Sequence, residues 1–310
     1  MTDTPLTIIA SPHRKKPRLS VLIPFFRDNP SALLSELLSQ SEALQGVEVL
    51  IYDDGTGDAD ICAALAAQIK EAKAPVTLLI AGKNRGRAQA RNTLQEKSRG
   101  DWVLFLDADM RPGSSDFLQN YLDLIEANSV DIIFGGFTVP SNAAPQEELH
   151  RALSQVSDCL PLSERKAAGP QYVATSNLCV RKSVLLAEPF DSGFVGWGWE
   201  DSEWAARVSQ RYALQHADNT AIHLGLESDD TLLARFKNSA QNYKRFTDMH
   251  PDLAQTLTLY RLTQKLKRVP AQRHMRPLMK LIVKFHAMPI RLRVLALKLW
   301  RASWYAELKS

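Results

Sequence analysis

The chain is poor in cysteine. Its 310 residues hold three, Cys62, Cys159 and Cys179, far apart and without a C-x-x-C pair. That pattern offers no paired disulfide framework and argues against a thiolate metal site. It fits a reducing compartment, with each cysteine a small buried apolar residue. Long apolar runs are missing too: no uncharged stretch reaches the roughly 18 residues that a membrane span needs. The N-terminus carries a basic run, His13-Arg14-Lys15-Lys16-Pro17-Arg18, but the apolar stretch behind it, Leu19 to Phe26, is short and broken by Pro24. It reads as a buried strand and not as the core of a secretory signal. There is no internal repeat and no low-complexity segment. Acids are scarce in one region only. From Arg261 to Ser310, 13 Lys and Arg face the single acid Glu307, a net +12, whereas the first 260 residues carry 25 against 33, a net −8. The overall +4 therefore conceals a basic tail.

What is present suits a globular chain: 45% hydrophobic and 23% charged residues allow a sizeable core without staples. Short apolar segments at Leu19–Pro24, Val47–Tyr52, Val76–Ile80, Trp102–Leu106 and Asp131–Phe134 predict strands buried on both faces. Between them, Ser31–Gln45, Asp60–Ala72, Arg87–Lys97 and Ser115–Ala127 have helical spacing. This alternation predicts an α/β fold built from βαβ units, with a mostly parallel sheet flanked by helices. Gln146–Leu160 and Glu200–Tyr212 predict further helices. The polar segment Pro161–Pro170 reads as a mobile loop. From about Asp230 the chain reads helical, interrupted at Pro251, Pro270, Pro277 and Pro289. The expected organisation is an N-terminal tail (1–17), an α/β domain (18–230, its halves meeting near 110) and a helical basic region (231–310).

Three of the six tryptophans lie in Val195-Gly196-Trp197-Gly198-Trp199-Glu200-Asp201-Ser202-Glu203-Trp204. Glycines let backbone approach a ligand, indoles offer flat apolar faces with an N–H at the edge, and carboxylates supply a general base. A polyol such as a sugar needs all three. Plain capping of a helix N-terminus explains Glu200 and Asp201 equally well, but not the Trp-Gly-Trp before them.

In parallel sheets ligands bind beyond the carboxyl ends of the strands. The residues there are Asp53-Asp54-Gly55-Thr56, Lys83 through Asn92, and Asp107-Ala108-Asp109. Asp107 and Asp109, two apart at a strand end, point the same way, and their hard oxygens suit Mn²⁺ or Mg²⁺. Arg87 and Arg91 share a helix face, and guanidinium forks suit phosphate. A turn, a solvated basic helix start and a structural His223 are the plain alternatives. In the tail, Leu292, Leu295, Ala296 and Leu299 share one side of a helix, Arg291, Lys298 and Arg301 lie toward the other, and Trp300 and Trp304 flank them. Such a helix suits the surface of an anionic membrane or packs on its own domain. No recognition motif for nucleic acid accompanies the charge.

Together these motifs resemble the family 2 glycosyltransferases of the GT-A fold. The order matches: Val21-Leu22-Ile23-Pro24, Asp53-Asp54-Gly55, Asn84-Arg85-Gly86 through Ala90-Arg91-Asn92, then Phe105-Leu106-Asp107-Ala108-Asp109. Gly196-Trp197-Gly198-Trp199-Glu200-Asp201 with Glu203 looks like the C-terminal motif of β-1,4-galactosyltransferases and chondroitin-polymerase-like enzymes. The resemblance spans roughly residues 18–230 and implies the following roles. Pro24, Asp53, Asp54, Arg87 and Arg91 would belong to the nucleotide side of a UDP-sugar site. Asp109, Asp107 and His223 would hold Mn²⁺ or Mg²⁺, with Asp107 contacting the ribose of the donor or the metal's water. Trp197 and Gly198 would line the donor pocket, Glu200 would position sugar hydroxyls, and Asp201 would be the base. Trp199 stands where these relatives commonly carry glycine, and its ring is expected to narrow the sugar site. The implied activity is inverting transfer of a hexose to a glycan or lipid-linked acceptor, at the cytoplasmic face of the cell membrane. A sugar nucleotidyltransferase and a non-catalytic nucleotide-sugar-binding subunit of a synthase are the alternatives.

Overall fold

The computed structural model describes residues 6–11, 15–41, 45–127 and 129–308. His13, Arg14 and the end of the helix expected over Ser31–Gln45 lie partly or wholly outside these residues. In chain order the first half contains β1 (Thr7–Ala10), β2 (Leu19–Phe25), α1 (Ser31–Ser41), β3 (Val47–Asp53), α2 (Ala59–Glu71), β4 (Val76–Ile80), α3 (Arg87–Lys97), β5 (Trp102–Leu106), β6 (Met110–Pro112) and α4 (Phe117–Glu126). Then follow β7 (Ile132–Phe134), β8 (Phe137–Thr138), α5 (Glu148–Ser157), α6 (Leu162–Ala168), β9 (Asn177–Arg181), α7 (Lys182–Ala187), α8 (Glu200–Val208), β10 (Leu214–His216) and β11 (Ala221–His223). The remainder is helical: α9 (Asp229–Asn238), α10 (Ala240–Met249), α11 (Pro251–Thr256), α12 (Thr258–Lys267), α13 (Arg276–Lys284) and α14 (Ile290–Ala306).

The main sheet has the order β1-β4-β3-β2-β5-β9-β7-β10. Its centre, β4-β3-β2-β5, is parallel throughout. Residues of one strand alternate between two cores, which is why these strands look apolar on both faces. Val21, Ile23, Val49, Ile51 and Leu104 join α1, α2 and α4 on one side. Leu22, Leu50, Tyr52, Val103 and Phe105 join α3, α7 and α8 on the other. The sheet is more mixed than the sequence pattern suggests. β9 runs antiparallel between β5 and β7, so the strand expected at Asp131–Phe134 does not adjoin β5.

Two local expectations fail for identifiable reasons. Within the predicted tail 1–17, Thr7–Ala10 forms β1, antiparallel to β4, and closes that edge of the sheet. The predicted loop Pro161–Pro170 contains α6, whose Arg165 turns inward at 3% exposure. Its guanidinium donates to the carbonyls of Phe134, Gly135 and Ala217 at 3.3, 3.3 and 3.1 Å. A segment that looks polar is thus pinned by one buried cation satisfying strand-end carbonyls.

A second, three-stranded sheet, β6-β11-β8, stands at the carboxyl end of β5. Its register sets His223 opposite Met110, next to Asp109. Fully buried Asn177 ties the two sheets together, donating to Gly136 O at 2.7 Å and Asn219 O at 2.8 Å.

The C-terminal helices are folded onto the α/β body. Arg293, 3% exposed, donates to Asp229 at 2.6 Å and to Val283 O at 2.8 Å. Arg276 donates to the hydroxyl and carbonyl of Ser303, both at 2.8 Å. Trp300 is buried and its indole donates to Leu233 O at 2.9 Å, while the Arg276 guanidinium lies 3.7 Å over the Trp304 ring. Neither tryptophan flanks a free amphipathic helix as the wheel suggests, and Ala296 is buried; Leu292 and Leu295 do face solvent, at 47% and 52%. Among the described residues no helix is long and apolar enough to cross a membrane.

Candidate active site

The strand ends of the parallel centre bring the predicted motifs to one edge. β5 pairs with β2 only as far as Leu22, so Pro24 sits where no ladder bond toward β5 is needed. Asp54 lies beyond β3 and is 4% exposed. Its two oxygens accept the backbone N–H groups of Arg85, at 2.8 Å, and Gly86, at 2.9 Å. Burial pushes its carboxyl up to about 6, against the pull of those two amides. Gly55, at φ 78°, makes the turn possible: a Cβ there would come within 2.4 Å of the Lys83 carbonyl carbon. Asp54 thereby fixes the loop that opens α3. Asp53 does not share its outlook. It is fully buried, accepts the Thr56 N–H at 2.7 Å and faces Cys62, so it is spent on its own turn.

Arg91 also departs from expectation. Helix α3 carries it inward to 1% exposure, where it cannot reach a phosphate. Nη1 instead donates to Glu200, at 3.3 Å, and to Asp201, at 3.2 Å; Nη2 donates to Asp107 at 3.3 Å. Burial alone would lower its pKa, yet the charges of Asp201, Asp107 and Glu200 raise it above the ordinary arginine value. Arg87, one turn earlier, stays half-buried, and its charge acts on Asp28, Asp109 and Glu200.

Glu200 and Asp201 open α8. Asp201 accepts the N–H and hydroxyl of Thr175, at 3.1 and 3.0 Å, besides the Arg91 bond. Glu200 is 5% exposed; burial pushes its carboxyl up, the Asp201 charge adds to this, and Arg91 opposes it. Its Oε2 is buried without a hydrogen-bond partner. The loop before α8 is clamped by Asn242, whose amide donates to the carbonyls of Val195 and Gly198, both at 3.0 Å. Trp197 is half-buried, 5.7 Å from the Phe236 ring. Trp199 does not narrow this region. Its ring turns away to pack on Phe246 and Tyr243, at 4.9 and 5.2 Å.

At the second sheet, His223 Nε2 lies 3.2 Å from Asp109 Oδ2. Burial would raise the Asp109 carboxyl, but the His223 contact holds it below the ordinary range and draws the imidazole upward in return. Asp109 Oδ1 is buried and has no hydrogen-bond partner. Gly225 makes room for this carboxylate, since a Cβ there would stand 1.9 Å from Oδ2. His150, on α5, adds a second ring 5.8 Å from His223 and accepts the Glu227 N–H at 2.7 Å. Burial pushes its pKa down to about 4, so it is neutral. Thr175, Asn242 and His150 carry no motif. A threonine ahead of a strand and a lone asparagine in a helix become informative only once the fold has brought them to Asp201 and Gly198.

Two consequences can be measured. Arg91→Lys replaces a three-way fork by a point charge. A single ammonium cannot serve all three carboxylates, and leaving the buried Glu200 unpaired costs about 3–5 kcal/mol, so urea unfolding should show a loss of that order; a change under about 1 kcal/mol would mean that the cluster does not depend on the fork. For Asp54 the sign follows from its raised pKa: the carboxylate present at pH 7 takes a proton as pH falls through about 6. The amide shifts of Arg85 and Gly86 should titrate together with a midpoint there. Titration near pH 4 would show that burial does not govern this carboxyl.

The family model "Glycosyl transferase family 2" matches residues 20–180, from within β2 to within β9. Glycosyltransferase AglE of Haloferax volcanii is 30% identical over 207 residues, 65% of this chain and 64% of that protein. The chain thus spans just under two thirds of this relative's length. Among solved structures, the mannosyltransferase PcManGT from Pyrobaculum calidifontis, in complex with GDP-Man and Mn²⁺, superposes with a TM-score of 0.59 at 17% identity, covering 93% of this chain and 86% of that one. Staphylococcus aureus TarS 1–349 in complex with UDP gives 0.54 at 15% identity, covering 93% and 89%. These likenesses establish the GT-A architecture. With the family match spanning more than half its residues, the chain belongs to glycosyl transferase family 2.

Proposed function

We propose that the protein is an inverting glycosyltransferase that moves a hexose from a UDP-sugar to a hydroxyl of a glycan or lipid-linked acceptor. The observation that carries this reading is the Arg91 cluster, which joins the donor-side acid Asp107 to Glu200 and Asp201 at the start of α8. Asp201 keeps one oxygen on Thr175 and the other on Arg91, and its side chain retains 23% exposure. It is the general base: it takes the proton of the acceptor hydroxyl as that oxygen bonds to C1 of the sugar and the bond from C1 to the diphosphate breaks. Glu200, with its unpartnered Oε2, orients sugar hydroxyls. Trp197 offers a flat face and Gly198 bare backbone beside the sugar.

Asp54 holds the Arg85–Gly86 loop against the nucleotide beside Pro24, and Arg87 in the first turn of α3 meets diphosphate. The residues around Asp109 fit a divalent cation, because a buried carboxylate oxygen without a partner is what such an ion satisfies. Asp109 and His223 would supply two ligands to Mn²⁺ or Mg²⁺, since Asp107 is already bonded to Arg91 and no third His, Cys, Asp or Glu of the described residues groups with them; the charge of the bound ion would stabilise that of the departing UDP.

The acceptor side is proposed to meet an anionic membrane at the cytoplasmic face. The outward residues Leu278, Leu281 and Phe285 of the α13 stretch and Leu292 and Leu295 of α14, at 47–65% exposure, accompany exposed Lys280 and Arg291. Apolar side chains beside basic ones suit a headgroup layer. No nucleic acid partner is invoked.

UDP release measured over a panel of UDP- and GDP-sugars, with and without Mn²⁺, tests the reaction; pyrophosphate as product would instead indicate nucleotidyl transfer. Asp201→Asn should lower turnover by about 10²–10⁴-fold while UDP affinity is retained. Turnover near wild type would remove Asp201 as base. For docking, Leu281→Asp with Leu295→Asp should sharply reduce sedimentation with phosphatidylglycerol vesicles, and unchanged sedimentation would refute this face.

A further inference from the structure

Trp199, the residue before Glu200 and Asp201, has φ 76°. A bulky residue in the left-handed region persists only where its surroundings over-determine it. Here they come from the far end of the chain. The Trp199 indole N–H donates to the hydroxyl of Tyr305, on α14, at 3.2 Å across 106 positions of sequence. Arg301 Nε donates to the same oxygen at 3.0 Å, and Ser239 Oγ lies 2.6 Å from it.

The directions of these bonds are fixed by chemistry. An indole N–H and a guanidinium N–H can only donate, so they fill the two lone pairs of the phenol. The phenol hydrogen must then go to Ser239, whose own hydrogen goes to Phe236 O at 3.1 Å. Tyr305 is fully buried and its ring stacks on Tyr243 at 4.3 Å. The relay therefore runs one way, from the entry of α8 through α14 to the corner between α9 and α10. Trp199 also accepts the Glu203 N–H at 2.9 Å, which makes its carbonyl the first turn of α8.

We infer that Tyr305 is a positioning residue for the reaction: its hydroxyl, through Trp199, sets the orientation in which α8 presents Glu200 and Asp201. This rests on the proposed role of Asp201. It assigns the C-terminal helix a part in turnover separate from membrane docking. None of the donor-side groups, Asp54, Asp109 and His223 among them, contacts Tyr305 or Trp199 in the hydrogen bonds above. Affinity for UDP itself should therefore be spared.

Tyr305→Phe keeps the stacked ring and removes the hydroxyl. We expect kcat for sugar transfer to fall at least 10-fold while the calorimetric affinity for UDP stays within twofold. Trp199→Phe breaks the same link from the other side. It should reproduce the loss, and the double variant should be no slower than the slower single one. It also carries the test alone if Tyr305→Phe does not fold. A kcat within twofold of wild type for the folded variants would overturn the inference. So would a loss of UDP affinity parallel to kcat, the mark of a merely structural role, or losses that multiply in the double variant. Asp201→Asn run alongside separates the two ideas. If it abolishes transfer while Tyr305→Phe does not slow it, only the positioning role fails. If Asp201→Asn turns over like wild type, or wild type transfers from no UDP-sugar, the underlying reading fails and this inference falls with it.

Discussion

The buried guanidinium of Arg91 is the constraint on which the site depends. Three carboxylates, from the end of β5 and the start of α8, meet around one side chain with 1% exposure. Without that charge, Glu200, whose carboxyl burial and the neighbouring Asp201 charge already push up, would be driven further toward its protonated form. The fork does more than neutralise. It fixes the distance between Asp107, just beyond a strand of the parallel sheet, and Asp201 of α8, 94 positions later in the sequence. The fold brings Asp107 and Asp201 near each other; Arg91 makes their proximity tolerable.

Much of the parallel centre was legible in the sequence because it rests on local signals: short apolar runs, helical periodicity between them, and acids or glycines at the strand ends. Residue identity without burial was the limit. Arg91 and Arg87 look alike four positions apart, yet one turns into the core and the other stays at the edge, and only packing distinguishes them. Asp53 and Asp54 differ likewise, the first serving its own turn and the second the loop before α3. Pro161–Pro170 looked like a loop because its composition is polar; one inward arginine reversed that. The edge strand Thr7–Ala10 was hidden by its shortness, and the interposed β9 by the fact that strand order is not written locally. Thr175, Asn242 and His150 owe their interest entirely to long-range contacts.

The basic tail shows how one composition can serve two purposes. Arg276 and Arg293 are structural, consumed by Ser303, Asp229 and backbone carbonyls. Lys280 and Arg291 stay at the surface beside outward leucines. A net charge counted along the sequence merges the two groups, although only the second produces a field that a partner feels. The tryptophans differ likewise: Trp300 is buried and hydrogen-bonded, Trp304 is half-buried beneath Arg276, and Trp199 reaches from the start of α8 to Tyr305.

Gly225 has a consequence beyond making room. With backbone pressed so closely against Asp109 Oδ2, and His223 on the same oxygen, the carboxylate has few rotamers left to sample. A side chain already frozen has little rotational freedom to surrender when a ligand arrives, so the entropy of ordering it was met at folding and not at binding. The absence of one methyl group at position 225 thus trades chain flexibility for a ready-made, rigid electrostatic surface.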